Sequence, residues 1–417
     1  MVDIDNSEEI WNKGKRLLIN GTSLFSRGPK VSVDGVAPKY SDSADGCYFK
    51  DVDNNPFLDY GMGVGSILLG WNYITEEIIP FLTSGTNLSL LSPHEVELAE
   101  TISHNIPSCQ RMKFLSSGSE VTETAVRIAR AFTERDVVIR DEYHGWMSWC
   151  SPLPGGVPKC YYDLTIVQPE QDIEKYKELL DTHDVACVIL EPMKSFDTTK
   201  ENRSLFLNQL KNECKKHGTL LIFDEVACGY RFDIGGAQKY FNVFPDVSAF
   251  GKSVANGFPL SFVGTTEEIG NEVEDKIFIS STFGGNPLSI GACIETTKIV
   301  SEYNVPKKLG EFGKNFKDSL NKISKENDML EYISITGLPN RLAWNCKDWD
   351  IRSLLMQEFV NRNIFFTWEI KNSFSHKEDE LSYTIEKFEE IIKICKKAIK
   401  NNTVLEQIKG KPIRPIL

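Results

Sequence analysis

Two apolar runs, each of which leads to a chemically active side chain, restrict most strongly the fold that this sequence can adopt. Residues 220–223 are apolar and end at Asp224, and residues 247–250 precede Lys252 by two positions. An apolar run closed by a carboxylate predicts a buried parallel strand whose carboxyl end carries Asp224, where open α/β sheets bind their ligands. We therefore expect an α/β fold with Asp224 and Lys252 close together at one edge of a sheet.

A lysine and a carboxylate placed in this way suit pyridoxal phosphate chemistry. The lysine amine can hold the cofactor as a Schiff base, and an anion can keep the pyridine nitrogen protonated so that the ring accepts electrons. Neither residue is specific alone, because a carboxylate at a strand end can cap a helix or bind a metal, and such a lysine is usually solvated. Glycines that allow close backbone packing against a bulky group favour the cofactor: Gly229, Gly235, Gly236, Gly251 and Gly257.

Composition excludes several classes of protein. The 417 residues are 41% hydrophobic and 25% charged, which predicts an ordinary globular protein of two domains. The formal net charge of −12 argues against nucleic acid and membrane partners, which attract clustered positive charge. No apolar stretch reaches the length of a membrane span.

Ten cysteines without a CxxC pair predict neither a structural metal site nor a disulfide scaffold. Reduced thiols, and an acidic N-terminus without the features of a secretion signal, predict a cytoplasmic protein.

The order of the elements predicts a mostly parallel sheet flanked by helices. Strands are expected at 111–115, 137–140, 185–190 and 220–223, and helices at 95–104 and 120–133. Two short antiparallel strands within 46–60 and a closing helix at 383–400 are also expected. We predict an N-terminal segment, 1–75, that packs with a small α+β domain, 306–417, and a large cofactor-binding domain, 76–305.

Small polar residues at 116–119 stand where the strand at 111–115 turns into the next helix. Their N–H groups and hydroxyls can bind a phosphate at the helix N-terminus, whose dipole favours an anion. For the isolated motif, an ordinary N-cap is the better explanation. The glycine cluster at 61–65 lacks the spacing of a dinucleotide-binding loop and predicts a flexible loop.

Together these residues resemble the class III aminotransferases, which are fold-type I pyridoxal phosphate enzymes, and in particular their glutamate-1-semialdehyde aminomutase branch. The resemblance spans most of the chain and rests on six motifs in family order: Ser117-Gly118-Ser119-Glu120, Tyr143-His144-Gly145, Glu191-Pro192, Phe223-Asp224-Glu225-Val226, Phe250-Gly251-Lys252 and Gly284-Gly285-Asn286-Pro287-Leu288. It implies the fold-type I transferase fold and pyridoxal 5′-phosphate as the cofactor.

The resemblance also implies roles for single residues. Lys252 would form the Schiff base and move the substrate proton, while Asp224 would pair with the ring nitrogen. Ser117, Gly118 and Ser119 would bind the phosphate.

Further positions near the cofactor follow from the same resemblance. Tyr143 would stack on one face of the ring and Val226 would contact the other, with His144 and Glu191 close by. Thr282 would reach the phosphate of the partner subunit's cofactor, which implies a homodimer with shared active sites.

Two departures from the aminomutase branch favour transfer between two molecules. Mutases of that branch carry a longer Gly/Ser-rich gating segment after the motif at 143–145, and Val64 stands where they have a tryptophan near the substrate. The resemblance therefore implies an aminotransferase that passes an amino group from an amino acid to a keto-sugar or keto-acid. An intramolecular aminomutase, and a binding protein of the same fold without catalysis, remain alternatives.

Substrate contacts are the least defined. Arg27 aligns with a family arginine that grips a substrate carboxylate, and a guanidinium suits that task, although a surface arginine is equally consistent. Trp146, Trp149 and Trp368 could line a sugar-sized pocket, yet core packing explains most aromatic residues.

Overall fold

The computed structural model describes residues 2–169, 171–196, 198–367 and 369–415. They form two units. The first comprises Met1–Tyr73, Ser195–Asp197 and Lys308–Leu417, and the second comprises Ile74–Lys194 and Thr198–Lys307. The domain division inferred from the sequence, at 75/76 and 305/306, stays a prediction. The two units divide at 73/74 and 307/308. The sequence did not indicate that residues 195–197 belong to the first unit.

A seven-stranded sheet forms the centre of the second unit. In spatial order its strands are Arg111–Leu115, Ser261–Thr265, Val247–Phe250, Leu220–Asp224, Val185–Leu190, Val137–Arg140 and Thr165–Val167. Ser261–Thr265 is antiparallel to both of its neighbours, and the other pairs are parallel. Every residue of Val185–Leu190 and Leu220–Asp224 is buried, which explains their continuous apolar runs. The predicted α/β fold with a mostly parallel sheet is confirmed.

Helices flank this sheet. Within the described part of the second unit they are Thr75–Thr83, Pro93–Asn105, Gly118–Thr133, Lys159–Asp163, Ile173–Thr182, Lys200–Lys216, Gly229–Phe232, Gly236–Phe241, Glu267–Val273 and Pro287–Glu302. The helices predicted at 95–104 and 120–133 begin two residues earlier than expected. Ser92 and Ser117 cap them by accepting backbone hydrogen bonds, so the residues just after each serine are already helical.

The first unit combines two small sheets with helices. One sheet contains Ser41–Asp45, Tyr48–Asp51, Pro56–Asp59 and Ile364–Phe365, and the other contains Ile333–Leu338, Arg341–Cys346 and Glu369–Ile370. The helices are Asp5–Leu17, Met62–Gly65, Val305–Glu326 from Lys308 onward, Trp349–Val360, Glu378–Lys400 and Val404–Gln407, with 3-10 turns at Ile19–Gly21, Phe25–Arg27 and Pro29–Val31. The predicted antiparallel pair within 46–60 is present, and the closing helix begins five residues before its predicted start at 383.

The glycine cluster at 61–65 is not the flexible loop that its composition predicted. Met62–Gly65 forms a short helical turn in which Gly63 and Val64 have φ angles of 60° and 62°. Asp59 accepts hydrogen bonds from the N–H groups of Gly61 and Met62, at 2.6 and 3.0 Å, and these bonds hold the turn. Within the described ranges, no helix combines the length and apolar character needed to cross a membrane.

Candidate active site

Asp224 is the last residue of one strand of the second unit, and Lys252 follows the neighbouring parallel strand Val247–Phe250. Asp224 is paired with Ala249 in the adjacent strand, and the N–H of Glu225 donates to the carbonyl oxygen of Ala249 at 2.7 Å. Lys252 begins a 3-10 turn, Lys252–Ala255, shortly after Ala249. The strand register therefore brings the two segments to the same edge of the sheet.

The backbone of Lys252 is in an unusual conformation. Its φ of 49° lies in the left-handed region, which non-glycine residues rarely adopt. Asn256, which closes the same turn, has a φ of 43°, but asparagine tolerates this region much better than lysine does. Backbone strain of this kind costs on the order of 1–3 kcal/mol and concentrates at functional sites, which supports a functional role for Lys252.

Asp224 is buried and held from two sides. Its Oδ1 accepts a hydrogen bond from the N–H of Val226 at 3.0 Å, and its Oδ2 lies 2.7 Å from Nδ1 of His144. The other imidazole nitrogen lies 2.6 Å from Oδ1 of Asp141. Burial alone would lower the pKa of His144, but the two carboxylates outweigh it and raise the pKa to about 9. His144 is therefore a cation at neutral pH, and it lies against the carboxyl group of Asp224.

Asp141 connects His144 to a second cation. Its Oδ2 lies 2.9 Å from Nζ of Lys194, which is also 2.9 Å from Oε2 of Glu142. Burial opposes ionisation of Asp141, but His144 and Lys194 hold its pKa well below the usual range. Neither Asp141 nor Lys194 was predicted from the sequence. Asp141 directly follows the strand Val137–Arg140, and this position at a strand end is a signal from which it could have been predicted. No local sequence feature distinguishes Lys194.

A tight backbone cradle lies at the start of the 16-residue helix Gly118–Thr133. A Cβ atom on Gly118 would lie 2.8 Å from Cγ1 of Val226, and a Cβ atom on Gly145 would lie 2.6 Å from Oγ of Ser119. Both distances are shorter than real Cβ contacts, so the backbone approaches here only because the residues are glycines. The first N–H groups of a helix lack intrahelical acceptors, and they can bind an anion at this position.

Ser117 precedes the helix and is its N-cap. The Ser117 hydroxyl oxygen accepts a hydrogen bond from the N–H of Glu120 at 3.4 Å. Helix capping is the structural role that an isolated motif of this kind most often has. A hydroxyl that accepts one bond can still donate another, so phosphate binding by Ser117 stays a prediction.

Val226 and Tyr143 are the residues predicted to contact the two faces of the ring. Val226 adjoins Gly118, and a Cβ atom on Gly251 would lie 3.4 Å from its Cγ1, so it borders both the cradle and the segment that leads to Lys252. Tyr143 is 56% exposed, and its ring can therefore be covered by a ligand.

The tryptophans differ in their environments. Trp146 is 69% exposed and is available to a ligand, and its predicted substrate contact stays a prediction. Trp149 is buried and stacks on His144 with ring centroids 6.2 Å apart, so its suggested place in a substrate pocket is wrong. Trp368 lies outside the described residues.

The remaining predicted positions are spread over both units. Glu191 follows the strand Val185–Leu190, and its carbonyl oxygen accepts a hydrogen bond from Nη2 of Arg203 at 2.8 Å. Arg27 ends a 3-10 turn of the first unit, and Val64 lies in the positive-φ turn of that unit. Contacts of Glu191 with the cofactor, and of Arg27 and Val64 with a substrate, stay predictions.

Thr282 lines a cavity of about 670 Å³ on the surface of the second unit. Leu90 and Leu91 line the same cavity and are 85% and 89% exposed. Adjacent exposed leucines of this kind are typical of a surface that another protein covers.

The residues at this edge of the sheet fit pyridoxal 5′-phosphate. The helix start at Gly118 suits the phosphate, and the cation-backed carboxylate of Asp224 suits a protonated pyridine nitrogen. The Lys252 amine suits the carbonyl carbon of the cofactor. The glycine cradle leaves room for the backbone to approach a bulky ligand.

The Aminotransferase class-III family model matches residues 33–392 of this chain. A glutamate-1-semialdehyde 2,1-aminomutase from Thermodesulfovibrio yellowstonii is 33% identical over 77% of this chain and 79% of its own length. A 3-aminobutyryl-CoA aminotransferase from Cloacimonas acidaminovorans is 28% identical over 94% of this chain and 98% of its own length.

Solved structures show the same fold. The FumI protein of Sphingopyxis sp. MTA144, in its PLP internal aldimine form, is similar with a TM-score of 0.88 and 21% identity, over 94% of this chain and 97% of that protein. An omega-transaminase from Sphaerobacter thermophilus is similar with a TM-score of 0.84 and 22% identity, over 93% and 97% of the two chains.

Proposed function

This chain belongs to the class-III aminotransferase family and uses pyridoxal 5′-phosphate, and we propose that it moves an amino group from an amino acid donor to a separate keto-sugar or keto-acid acceptor. One observation carries the proposal. Asp224, backed by the His144 cation at 2.7 Å, ends a strand whose parallel neighbour leads directly into the strained Lys252.

In this proposal Lys252 and Asp224 are the catalytic residues. When bound, the cofactor supplies an electron sink for the carbanion formed at the substrate carbon. Asp224 holds the proton on the ring nitrogen, which increases the capacity of that sink. Lys252 would hold the cofactor through its side-chain amine, and the same amine, when free, would move the substrate proton.

Other residues hold the ring in place for that chemistry. The N–H groups of Gly118 and Ser119, with Ser117, bind the phosphate, and Tyr143 and Val226 cover the two faces of the ring. Arg27 is proposed to pair with a substrate carboxylate, and Trp146 and Val64 to line the substrate site. Fixing the ring on all sides keeps the reacting bond aligned with its π-system.

Transfer between molecules is favoured over intramolecular exchange by the short segment after the Tyr143-His144-Gly145 motif. Only about a dozen residues separate Gly145 from the helix Lys159–Asp163, and Val64 replaces the tryptophan of the mutases that the sequence resembles. The relative named as a 3-aminobutyryl-CoA aminotransferase, which is similar along almost its whole length, supports the same choice. The aminomutase relatives keep intramolecular exchange as the second candidate.

We also propose a homodimer in which Thr282 reaches the partner subunit's cofactor phosphate. The exposed Leu90 and Leu91 beside Thr282 support this, because a dimer would cover them. Sedimentation of the purified protein should give twice the mass of one chain, and a monomer at working concentration would contradict the proposal. We further propose a cytoplasmic location, in keeping with cysteines that form no disulfide in the structure.

A two-stage incubation tests the proposed reaction. Purified protein loaded with cofactor is first mixed with a panel of ¹⁵N-labelled amino acids while the cofactor absorbance is followed, and then with keto-acids and keto-sugars. Label in a separate acceptor product supports an aminotransferase. Conversion of a single amino-carbonyl compound without a donor identifies a mutase, and no spectral change with any amine identifies a binding protein. Lys252→Ala is the inactive control.

A further inference from the structure

We propose that Lys194 is a positioning residue for the amino transfer: acting through Asp141 and His144, it fixes the orientation and balances the charge of Asp224. The inference rests on the proposed function, because that function assigns Asp224 to the ring nitrogen of the cofactor. Lys194 contacts Asp141 and Glu142, and neither of these two residues is assigned to the ring or the phosphate.

The geometry is a row of four side chains with defined partners. Nζ of Lys194 lies 2.9 Å from Oδ2 of Asp141, whose Oδ1 lies 2.6 Å from Nε2 of His144. Nδ1 of His144 lies 2.7 Å from Oδ2 of Asp224, and Oδ1 of Asp224 accepts the N–H of Val226 at 3.0 Å. Each oxygen of the two carboxylates has a partner, so rotation of either carboxylate breaks two contacts at once.

Acidic and basic side chains alternate along the row. The carboxyl groups of Asp141 and Asp224 alternate with His144 and Lys194, and Lys194 also pairs with Glu142 outside the row. The His144 side chain is fully buried, those of the two aspartates are 8% exposed and that of Lys194 is 18% exposed. Charges are weakly screened at such depth. Loss of the Lys194 ammonium would remove one positive charge from the row and leave Asp141 and Glu142 without the cation that they share.

Other titratable groups face the row from the elements packed against it. They interact with Asp141, Lys194 or Asp224, and they are the same in the parent and in every variant of the test below: Arg140, Glu142, Tyr143, Cys150, Tyr176, Glu191, Arg203 and Glu225.

The test measures how tightly the Lys252-linked cofactor holds its proton. The absorption band of the loaded enzyme is titrated with pH, without substrate, in the parent and in Lys194→Met. Because the variant lacks one positive charge, its spectroscopic pKa should rise by about one pH unit. Lys194→Arg keeps the charge and should restore the parent value. Lys177→Met is the control. It removes an exposed lysine that pairs with Glu174 at 2.7 Å, and it should leave the spectroscopic pKa unchanged.

A double-mutant cycle tests whether Asp141 transmits the effect. Lys194→Met is added both to the parent and to Asp141→Asn. In the Asp141→Asn background it should shift the spectroscopic pKa by less than half as much as it does in the parent. An equal shift in both backgrounds, an unshifted or lowered pKa in Lys194→Met, or the same shift in Lys194→Arg would overturn the inference. Absence of any cofactor band in the parent would instead refute the proposed function, so the two failures are distinguishable.

Discussion

His144 places Nδ1 2.7 Å from Oδ2 of Asp224, and both side chains are buried. The burial of the Asp224 carboxyl group makes its partners important, because a buried polar group without a hydrogen bond is costly. A hydrogen bond to the adjacent imidazolium is charge-assisted, and such a bond is stronger than a neutral one. Asp224 is therefore held in a fixed orientation in which it can pair with a protonated pyridine ring.

Removal of the Asp224 carboxylate should separate cofactor binding from catalysis. In Asp224→Ala the phosphate cradle and Lys252 remain, so the cofactor should still bind, while turnover should fall by roughly 100-fold or more because the ring loses its electrostatic support. Cofactor absorbance and kcat with the identified donor measure the two effects. Undiminished turnover would mean that another group protonates the ring.

The stability of the cofactor-free protein should depend on His144 above neutral pH. The pKa of His144 is raised from 6.5 to about 9, so its contribution is fully present below pH 6.5 and is lost as the pH rises through 9. The parent should lose on the order of 3 kcal/mol of unfolding free energy across this window. Urea unfolding at several pH values measures this loss.

His144→Asn should have a flatter stability profile over the same range, because it has no imidazole to titrate. His183→Asn, which changes an exposed histidine of the same unit, is the control and should keep the slope of the parent. A His144→Asn profile that falls as steeply as the parent profile would assign the pH dependence to another group.

The sequence predicted the parts of the fold that have strong local signals. Val185–Leu190 and Leu220–Asp224 are buried along their whole length, and their continuous apolar runs are visible in the sequence. Thr165–Val167 is a three-residue edge strand, and Ser261–Thr265 contains serine, glycine and threonine, so neither produces a clear pattern. Both were missed for that reason.

In the candidate site too, the residues that were predicted are those with a local sequence signal. Asp224 ends an apolar strand, Lys252 follows another, and the glycine and serine residues at 117–119 cap and begin a helix, so each has a local context that the sequence can show. The ion pair between Lys194 and Asp141 joins residues that are far apart in the chain. Such a contact depends on tertiary packing and leaves no periodic pattern, and it was found only in the structure.

Substitutions at Lys252 should distinguish its chemistry from its backbone strain. Lys252→Ala and Lys252→Gly should both abolish turnover and the borohydride-stabilised cofactor adduct, because both lack the amine. Glycine tolerates the φ of 49°, so Lys252→Gly should be about 1 kcal/mol more stable than Lys252→Ala. Denaturant unfolding of the cofactor-free variants gives that difference. A persistent adduct in either variant would remove Lys252 from the proposed mechanism.

The contact between Gly118 and Val226 should control cofactor affinity. A Cβ atom at 118 would lie 2.8 Å from Cγ1 of Val226, and this overpacking should weaken cofactor binding in Gly118→Ala by roughly 10-fold or more. Val226→Ala removes the clashing methyl groups, so adding Gly118→Ala to it should cost much less than in the parent. Gly155→Ala, whose new Cβ would have no neighbour within 4 Å, is the matched control. Equal losses in both backgrounds, measured by equilibrium titration with pyridoxal phosphate, would show that Gly118 acts through something other than this contact.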